Sequence, residues 1–415
     1  MCPQMNKTNN SVPEKILILG GNCAQIPLIN ASLREGYFVV LCDNTTTNPG
    51  IRLVHKHYQE DFQDMEKVLE IAKKEQVKGI ISNSESAMPV VAYVSEQMNL
   101  VGNSLASVQA LNSKILFRAL QKKIGVFAPN HVVTTTFPEA VEKARILCFP
   151  VIMKPCRSSG SRGTSRIDTL DSIIEYEEAW KNCSLYSQDK RVVIEEYVDM
   201  PSLENVIDGD VFVFNGQFLW DGLFTSKRSS DEPMLPMTQT FPIHLRDSEL
   251  EELKRTIIDI LGGAGIQFGE FNIEFYYTSS RRLFCIEINA RQGGNGIPEM
   301  IQKHCGIDMY KLLVTTAMGH TDYFEQIYGA PRSLHYVSRH PVFSHKEGIF
   351  TRLVISSEIE PYVTHITQDV ELGSHISRGI MARDKLAMVD LEFPDRETQL
   401  FFVSNIEHFI FPEVF

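Results

Sequence analysis

Three apolar runs near the N-terminus do most to limit what this chain can fold into: KILILGG at 15–21, YFVVLCD at 37–43 and GIISNSE at 79–85. Short unbroken apolar runs are how strands covered on both faces of a parallel sheet read in sequence. The segments between them, 25–35 and 62–75, and the one after, 86–98, carry helical spacing. Strand alternating with helix predicts a doubly wound α/β sheet over residues 1–110. Ligands of such sheets sit beyond the carboxyl ends of the strands, here Gly20-Gly21 and Asp43. The glycine fingerprint of a dinucleotide site is incomplete, because Gly20-Gly21-Asn22-Cys23-Ala24-Gln25 lacks the later glycines. A Rossmann-like structural lobe is the expectation, with strand ends able to line a pocket for a small acid.

After about residue 110 the pattern changes. A helix carrying Lys114 and Arg118 stops at Pro129, and 138–147 again has helical spacing. FPVIMKP (149–155) reads as a strand, SSGSRGT (158–164) as a Gly/Ser loop, 169–181 as a helix and RVVIEEYV (191–198) as a strand. Alternation over 205–225 predicts an antiparallel hairpin turning at Asn215-Gly216. Residues 226–240, rich in Ser, Pro, Met and Asp, read as a long mobile loop. A helix at 247–261 precedes strands at 268–277 and 283–291, and no long helix is expected after about 319. With 415 residues the chain has room for several domains of roughly 100–200 residues, and its fold class is α/β (α+β).

Charge and cysteine usage bound the function. The 40 basic and 52 acidic side chains leave a formal charge of −12, which argues against a nucleic-acid surface built on phosphate neutralisation. A small anionic ligand needs only a few local cations and stays open. The opening MCPQMNKTNNSVPEK has no apolar core, so a secretory signal is not expected. No window reaches the ~18 apolar residues of a membrane span. The eight cysteines make no CxxC pair and several lie in apolar runs. Buried, reduced thiols in a cytoplasmic protein follow.

Three segments carry chemistry. In VIMKPCRSSGSRGT a buried strand delivers Lys154, and a lysine ending an apolar strand needs an anionic partner. The small residues after it let backbone N–H groups approach phosphate oxygens. In FGEFNIEFYY and LFCIEINARQGGNG, a turn symmetric about Ser280 and Arg281 sets Glu274 opposite Glu287. Alternation places Glu287, Asn289 and Arg291 on one face. Opposed carboxylates repel unless a cation lies between them, and oxygen-only ligands select Mg²⁺ or Mn²⁺. In VIEEYVDMPSLENVID, Glu195 to Val198 can form a hinge whose backbone meets an adenine edge, with Glu204 beyond it for ribose hydroxyls.

The succession of Lys114, Lys154 with SSGSRGT, EEYV, Glu274 and EINAR resembles the ATP-grasp superfamily, over nearly the whole chain. GGNCAQIPLINASLREGYFVVLCDNTTTNPG is similar to the pre-ATP-grasp lobe of biotin carboxylase, carbamoyl-phosphate synthetase large chain, phosphoribosylglycinamide synthetase and L-amino acid ligases. The stretch from HKEGIFTRL through ISRGIMARDKLAMVDLEF is similar to their small C-terminal, β-rich lobe, and IEINARQGGNGIPEMI to the amino acid ligase and carbamoyl-phosphate synthetase branches. The resemblance implies a pre-ATP-grasp lobe at 1–110, an ATP-grasp domain at 111–320 with a lid lobe at about 132–198, and a C-terminal lobe at 321–415. ATP and one or two Mg²⁺ (or Mn²⁺) ions are the implied cofactors. Lys114 and Lys154 would contact the nucleotide phosphates under the loop Ser158, Ser159, Gly160, Ser161, Arg162, Gly163 and Thr164. Glu195 with the backbone of Glu196 and Val198 would hold adenine, and Glu204 ribose. Where relatives carry a glycine before that last residue, this chain has Pro201-Ser202-Leu203. Glu274, Glu287 and Asn289 would ligate metal. Arg291 would hold the acid's carboxylate, with Lys154 and Arg162 beside it in catalysis. Lys227, Arg228, Gly293 and Gly294 are candidate substrate contacts.

The implied activity is an ATP- and Mg²⁺-dependent ligase that activates a small acid, an amino acid first among candidates, as acyl phosphate and joins it to an amine. Rivals are a bicarbonate-dependent carboxylase or carbamoyl-phosphate synthetase-like enzyme, a kinase stopping at a stable phosphorylated product, and a non-catalytic ATP-binding regulatory protein. Expected partners are the small-molecule acid and amine, with no nucleic acid or membrane, and relatives of this architecture are commonly homodimers.

Overall fold

The computed structural model describes residues 12–156, 163–187, 189–201, 206–229, 235–379 and 384–415. The chain forms two compact units, one running up to Leu105 and including Tyr310–Tyr328, the other comprising Ala106–Met309 and Gly329–Phe415.

The first unit is built on β1 (Lys15–Leu19), β2 (Phe38–Asp43), β3 (Lys56–Gln59) and β4 (Gly79–Ile81), a parallel sheet in the order β3-β2-β1-β4. Leu17, Leu19 and Val40 of the sheet and Val68 and Val94 of the flanking helices Met65–Glu75 and Met88–Met98 are fully buried together. The apolar runs read from the sequence are β1, β2 and β4. β3, with the sequence KHYQ, has no apolar run because it is a partly exposed edge strand, and edges keep polar residues. Asp43 is occupied within its own loop. Its carboxylate accepts from the backbone N–H groups of Gly21 (2.5 Å) and Thr45 (2.8 Å) and from the Asn48 amide (2.9 Å). The carboxylate at the end of β2 therefore braces the Gly21 turn, which is the structural role expected of an incomplete fingerprint.

The second unit contains a small antiparallel sheet and a large one. β5 (His131–Thr134), β6 (Val151–Pro155), β7 (Ser165–Ile167) and β8 (Val192–Glu196) pair in the order β5-β8-β6-β7. Helices Phe137–Ala144 and Ile173–Tyr186 close a core of Ala140, Val151, Met153, Tyr176 and Ile194 over it. The large sheet takes β9 (Val206–Phe214), β10 (Gln217–Arg228), β11 (Pro236–Phe241), β12 (Phe268–Tyr277), β13 (Leu283–Asn289), β14 (Tyr336–Val342), β16 (Val363–Gln368) and β18 (Ala387–Phe393). Its order is β13-β12-β9-β10-β11-β14-β18-β16, so the closing segment of the chain extends the sheet begun at residue 206. A separate three-stranded sheet joins β15 (Gly348–Ile355), β17 (His375–Ile376) and β19 (Ile410–Val414).

The β9–β10 hairpin turns at Asn215-Gly216, where both residues have positive φ (50° and 76°), as a primed turn requires. The long loop expected over 226–240 is shorter: β10 runs to Arg228, and β11 starts at Pro236. Proline, serine and methionine read as loop by composition, but pairing to β10 and β14 on both sides makes Pro236–Phe241 an inner strand. A nine-residue helix, Arg396–Ser404, lies in the C-terminal segment, for which the spacing predicts no long helix. Asp395 caps it, accepting from Thr398 N (2.8 Å), and its aromatic face packs on β18. Cys42, Cys156, Cys183, Cys285 and Cys305 are buried, and the described cysteines form no disulfide. No helix among the described residues is long and apolar enough to cross a membrane.

Candidate active site

The large sheet owes its chemistry to strand alternation. β12 reads FGEFNIEFYY, so Glu270, Asn272 and Glu274 project from one face while Phe271, Ile273 and Phe275 are buried on the other. Pairing then lines up polar residues across strands. Asp208 of β9 lies opposite Glu274, and Glu274 lies opposite Glu287 of β13. Asn272 is flanked in the same way by Asp210 and Asn289. The register at Glu274 and Glu287 is the one that a symmetric turn gives. A bulge after Glu274 shifts the pairs nearer the turn by one, to Phe275 opposite Cys285.

Three carboxyl groups in a row are not independent. Arg228 donates to Asp208 Oδ2 (3.0 Å) and Glu274 Oε1 (2.7 Å), bridging two members of the row. Burial pushes Glu274 up to about 7; Arg228 opposes this, and the charges of Asp208 and Glu287 reinforce it. Burial likewise raises Asp208 despite Arg228. Glu287 goes the other way. Burial acts to raise it, but Lys114, a 2.9 Å hydrogen bond from Asn289 Nδ2, Arg291 and Lys154 together hold it below the usual carboxylate range. Glu287 at one end of the row thus keeps its charge, while burial favours the protonated form at Glu274 and Asp208.

That imbalance fits a divalent cation. The donor set is all oxygen, two carboxylates and an amide, which suits Mg²⁺ or Mn²⁺. Asn289 turns Nδ2 to Glu287, which leaves its carbonyl oxygen as the atom to face a metal. Among the described residues no three His, Cys, Asp or Glu side chains are already gathered as a metal cage, so the set depends on the Asn289 amide.

Lys154 meets its anionic partner inside the protein. It closes β6, and its ammonium binds the Glu195 carboxylate on β8. Arg118 binds the same carboxylate through Nε (3.0 Å) and Nη2 (3.4 Å), and donates Nη1 to Gln121 Oε1 (2.8 Å) and Cys285 O (3.1 Å). Burial raises Glu195, but Arg118 and Lys154 outweigh it and hold the carboxylate far below its ordinary range. Burial also lowers Lys154, with Arg118 and Lys114 acting in the same direction and Glu195 against them. The Glu195 side chain therefore faces inward to these cations rather than outward to a base. At the hinge, Glu196 N donates to Asn130 O (2.9 Å), and Val198 O accepts from Tyr276 Oη (2.8 Å). Lys114 is half-buried one residue after Ser113, which caps its helix.

Arg291 follows β13, with its carbonyl accepting from Asn272 N (3.0 Å) and its Nη1 donating to Gln292 O (2.9 Å). Gly293 N donates to Asp210 Oδ2 (2.8 Å), and Gly294 is exposed. Lys227 and Arg228 part company. Arg228 joins the acidic row, whereas Lys227 Nζ donates to Ser404 O (2.9 Å), away from it. Gly163 and Thr164 lead into β7. Ser158, Ser159, Gly160, Ser161, Arg162 and Glu204 lie outside the described residues. Sequence reasoning missed Asp208 and Arg118; the alternation in VIDGD marks the first, whereas no local signal marks the second.

With this geometry in hand, comparison with known proteins is decisive at one level. Residues 147–299 match the family model of the ATP-grasp domain. This chain carries an ATP-grasp domain. Over 338 residues the chain is 26% identical to the carbamoyl phosphate synthase large chain of Pseudothermotoga lettingae, a match covering 76% of this chain and 29% of that protein. It is 22% identical to the formate-dependent phosphoribosylglycinamide formyltransferase of Bacillus subtilis, covering 70% of this chain and 74% of the relative. The L-amino acid ligase of Bacillus licheniformis superposes with a TM-score of 0.77 at 16% identity, covering 98% of this chain and all (100%) of that one. At that identity the likeness is one of fold. The stretch matched by the family model spans the Lys154 strand, the Glu195 hinge and the acidic row.

Proposed function

We propose that the chain is an ATP- and Mg²⁺-dependent carboxylate–amine ligase that releases ADP and phosphate. The observation that carries this reading is a convergence of charge from separate elements: Lys114, Lys154 and Arg291 all act on Glu287 of β13, which lies opposite Glu274. Such a site suits a polyanion that arrives with its own cation.

In the proposed reaction an oxygen of the acid attacks the γ-phosphorus of ATP, the bond to the β-phosphate oxygen breaks, and ADP leaves. The amine nitrogen then attacks the acyl carbon, the carbon–oxygen bond to phosphate breaks, and the amine's proton is lost to solvent. Mg²⁺, held by Glu274, Glu287 and Asn289, would supply positive charge to the nucleotide phosphates. Lys114 and Lys154 stabilise the charge that spreads over the transferring group, and Glu195 with Arg118 fixes where Lys154 stands. Arg291 orients the acid's carboxylate, a task suited to a planar guanidinium. Glu196 and Val198 at the hinge meet the base, and an amino acid is the first candidate acid.

A matrix of the standard L-amino acids and bicarbonate against amines, scored for ADP release and product mass, tests the proposal. ADP release that needs both an acid and an amine is expected. Release driven by bicarbonate alone would indicate a carboxylase or carbamoyl-phosphate synthetase-like enzyme, and a stable phosphorylated product would indicate a kinase. Arg291→Ala should still bind ATP while acid-dependent ADP release falls at least a hundredfold; unchanged release removes Arg291 from the site.

A further inference from the structure

Farther along the same sheet face lies a second polar cluster that the proposed reaction does not use. Asp210 is 0% exposed, and Glu270 and Gln292 are each 2% exposed. Asp210 Oδ1 accepts from Asn272 Nδ2 (2.9 Å), and Gln292 Nε2 donates to Glu270 Oε2 (2.6 Å). Glu270 Oε1 is buried with no hydrogen-bond partner among the described residues, and burial together with the Asp210 charge pushes Glu270 well above the usual carboxylate range. Asp210 already accepts from Gly293 N and from Asn272, bonds that favour its ionised form. Of the two carboxyl groups, Glu270 is thus the one pushed toward its protonated form.

The cluster is tied to the loop after β13 at every residue from 291 to 293. Asn272 N holds the Arg291 carbonyl, Gln292 is anchored on Glu270, and Gly293 N is anchored on Asp210. The fit is close. A Cβ at residue 293 would lie 2.7 Å from Asp210 Oδ1 and 2.9 Å from Asn272 Nδ2.

We infer that Asp210 and Glu270, with Asn272 and Gln292, are positioning residues that fix the 291–293 backbone and so set the Arg291 guanidinium for the acid substrate. This rests on the reading of Arg291 given above. It assigns each of the two carboxyl groups an accepting role. Asp210 must be an acceptor, because the N–H groups of Gly293 and Asn272 both donate to it. Glu270 must accept from Gln292 Nε2, which a glutamine amide oxygen also does.

The test compares Asp210→Asn, Glu270→Gln and Glu270→Met, using the amino acid that drives ADP release fastest in the wild type. Asp210→Asn and Glu270→Met should raise the KM for that acid about tenfold to a hundredfold, as loss of a charge-assisted buried hydrogen bond does, with the KM for ATP within about twofold. Glu270→Gln should match the wild type in both. Hydrogen exchange of the peptide covering 289–296 should quicken in the first and third variants and stay unchanged in the second. The inference is overturned if Glu270→Gln is as damaging as Glu270→Met, if the KM values for acid and ATP rise together, or if exchange at 289–296 does not respond. Should Asp210→Asn fail to fold, the two Glu270 variants decide the matter. If no acid–amine pair releases ADP from the wild type, the ligase reading fails, while the exchange comparison still tests the anchoring.

Discussion

Arg118→Met isolates the buried network behind Lys154. Arg118 and Glu195 each keep only 4% of their side chains exposed, so the pair is little screened by water. The substitution removes both guanidinium contacts to Glu195; Gln121 Nε2 still reaches Cys285 O at 3.4 Å, so the main loss is the carboxylate's larger counter-ion. Removing one partner of a buried ion pair destabilises by about 3–5 kcal/mol. Urea unfolding followed by the fluorescence of Trp180 and Trp220 measures it. The double variant Arg118→Met/Glu195→Gln should cost less than the two single changes summed, by about 1–3 kcal/mol. The sign with pH follows from the depressed Glu195 value. Its contribution is complete above the ordinary glutamate range and is lost only as pH falls below that range. With Arg118 gone and Lys154 its remaining ion-pair partner, the carboxylate is less depressed, so the acid-side loss still begins in the ordinary glutamate range but is smaller and ends at a higher pH. A midpoint within about 1 kcal/mol of wild type, with additive single changes, would refute the assignment of Arg118 as principal counter-ion.

Glu287→Gln should reduce Mg²⁺-dependent ADP release at least a hundredfold while unfolding stability changes little; full turnover would dismiss the metal assignment. Gly209→Ala should destabilise the protein by several kcal/mol, because φ is +148° there and a Cβ would lie 2.4 Å from Gly222 O. A normal melting temperature for that variant contradicts the β9–β10 packing. His244 and His340 are both lowered to about 4 by burial, so the unfolded chain binds their protons first as pH falls. Stability should be full above about pH 6.5 and fall toward pH 4, and replacing His340 with glutamine should flatten that slope if the argument holds.

Much of the site could be read in one dimension. Glu274, Glu287 and Asn289 were placed together by two local facts, the period of a strand and the near-symmetry of a short turn. The bulge after Glu274 lies on the turn side, so it left the site's register intact. The hairpin at Asn215-Gly216 was legible for the same reason, since its backbone conformation is a property of two adjacent residues. β3 and β11 were not legible. One is a polar edge and the other a proline-bearing segment made into an inner strand by its neighbours.

The sequence by itself determined the fold class, the parallel lobe at the start, and which residues share the face of β12 and β13, because alternation and turn chemistry act over a few residues. Tertiary structure alone decided how those residues are charged and held. Arg118 reaches Glu195 across 77 positions, Arg228 reaches Glu274 across 46, and Gly293 reaches Asp210 across 83. It turned Glu195 from a hinge side chain into the counter-ion of Lys154, and separated Lys227 from Arg228. Burial and pairing at such distances depend on which strands become neighbours, a property of the folded sheet and not of any segment read on its own.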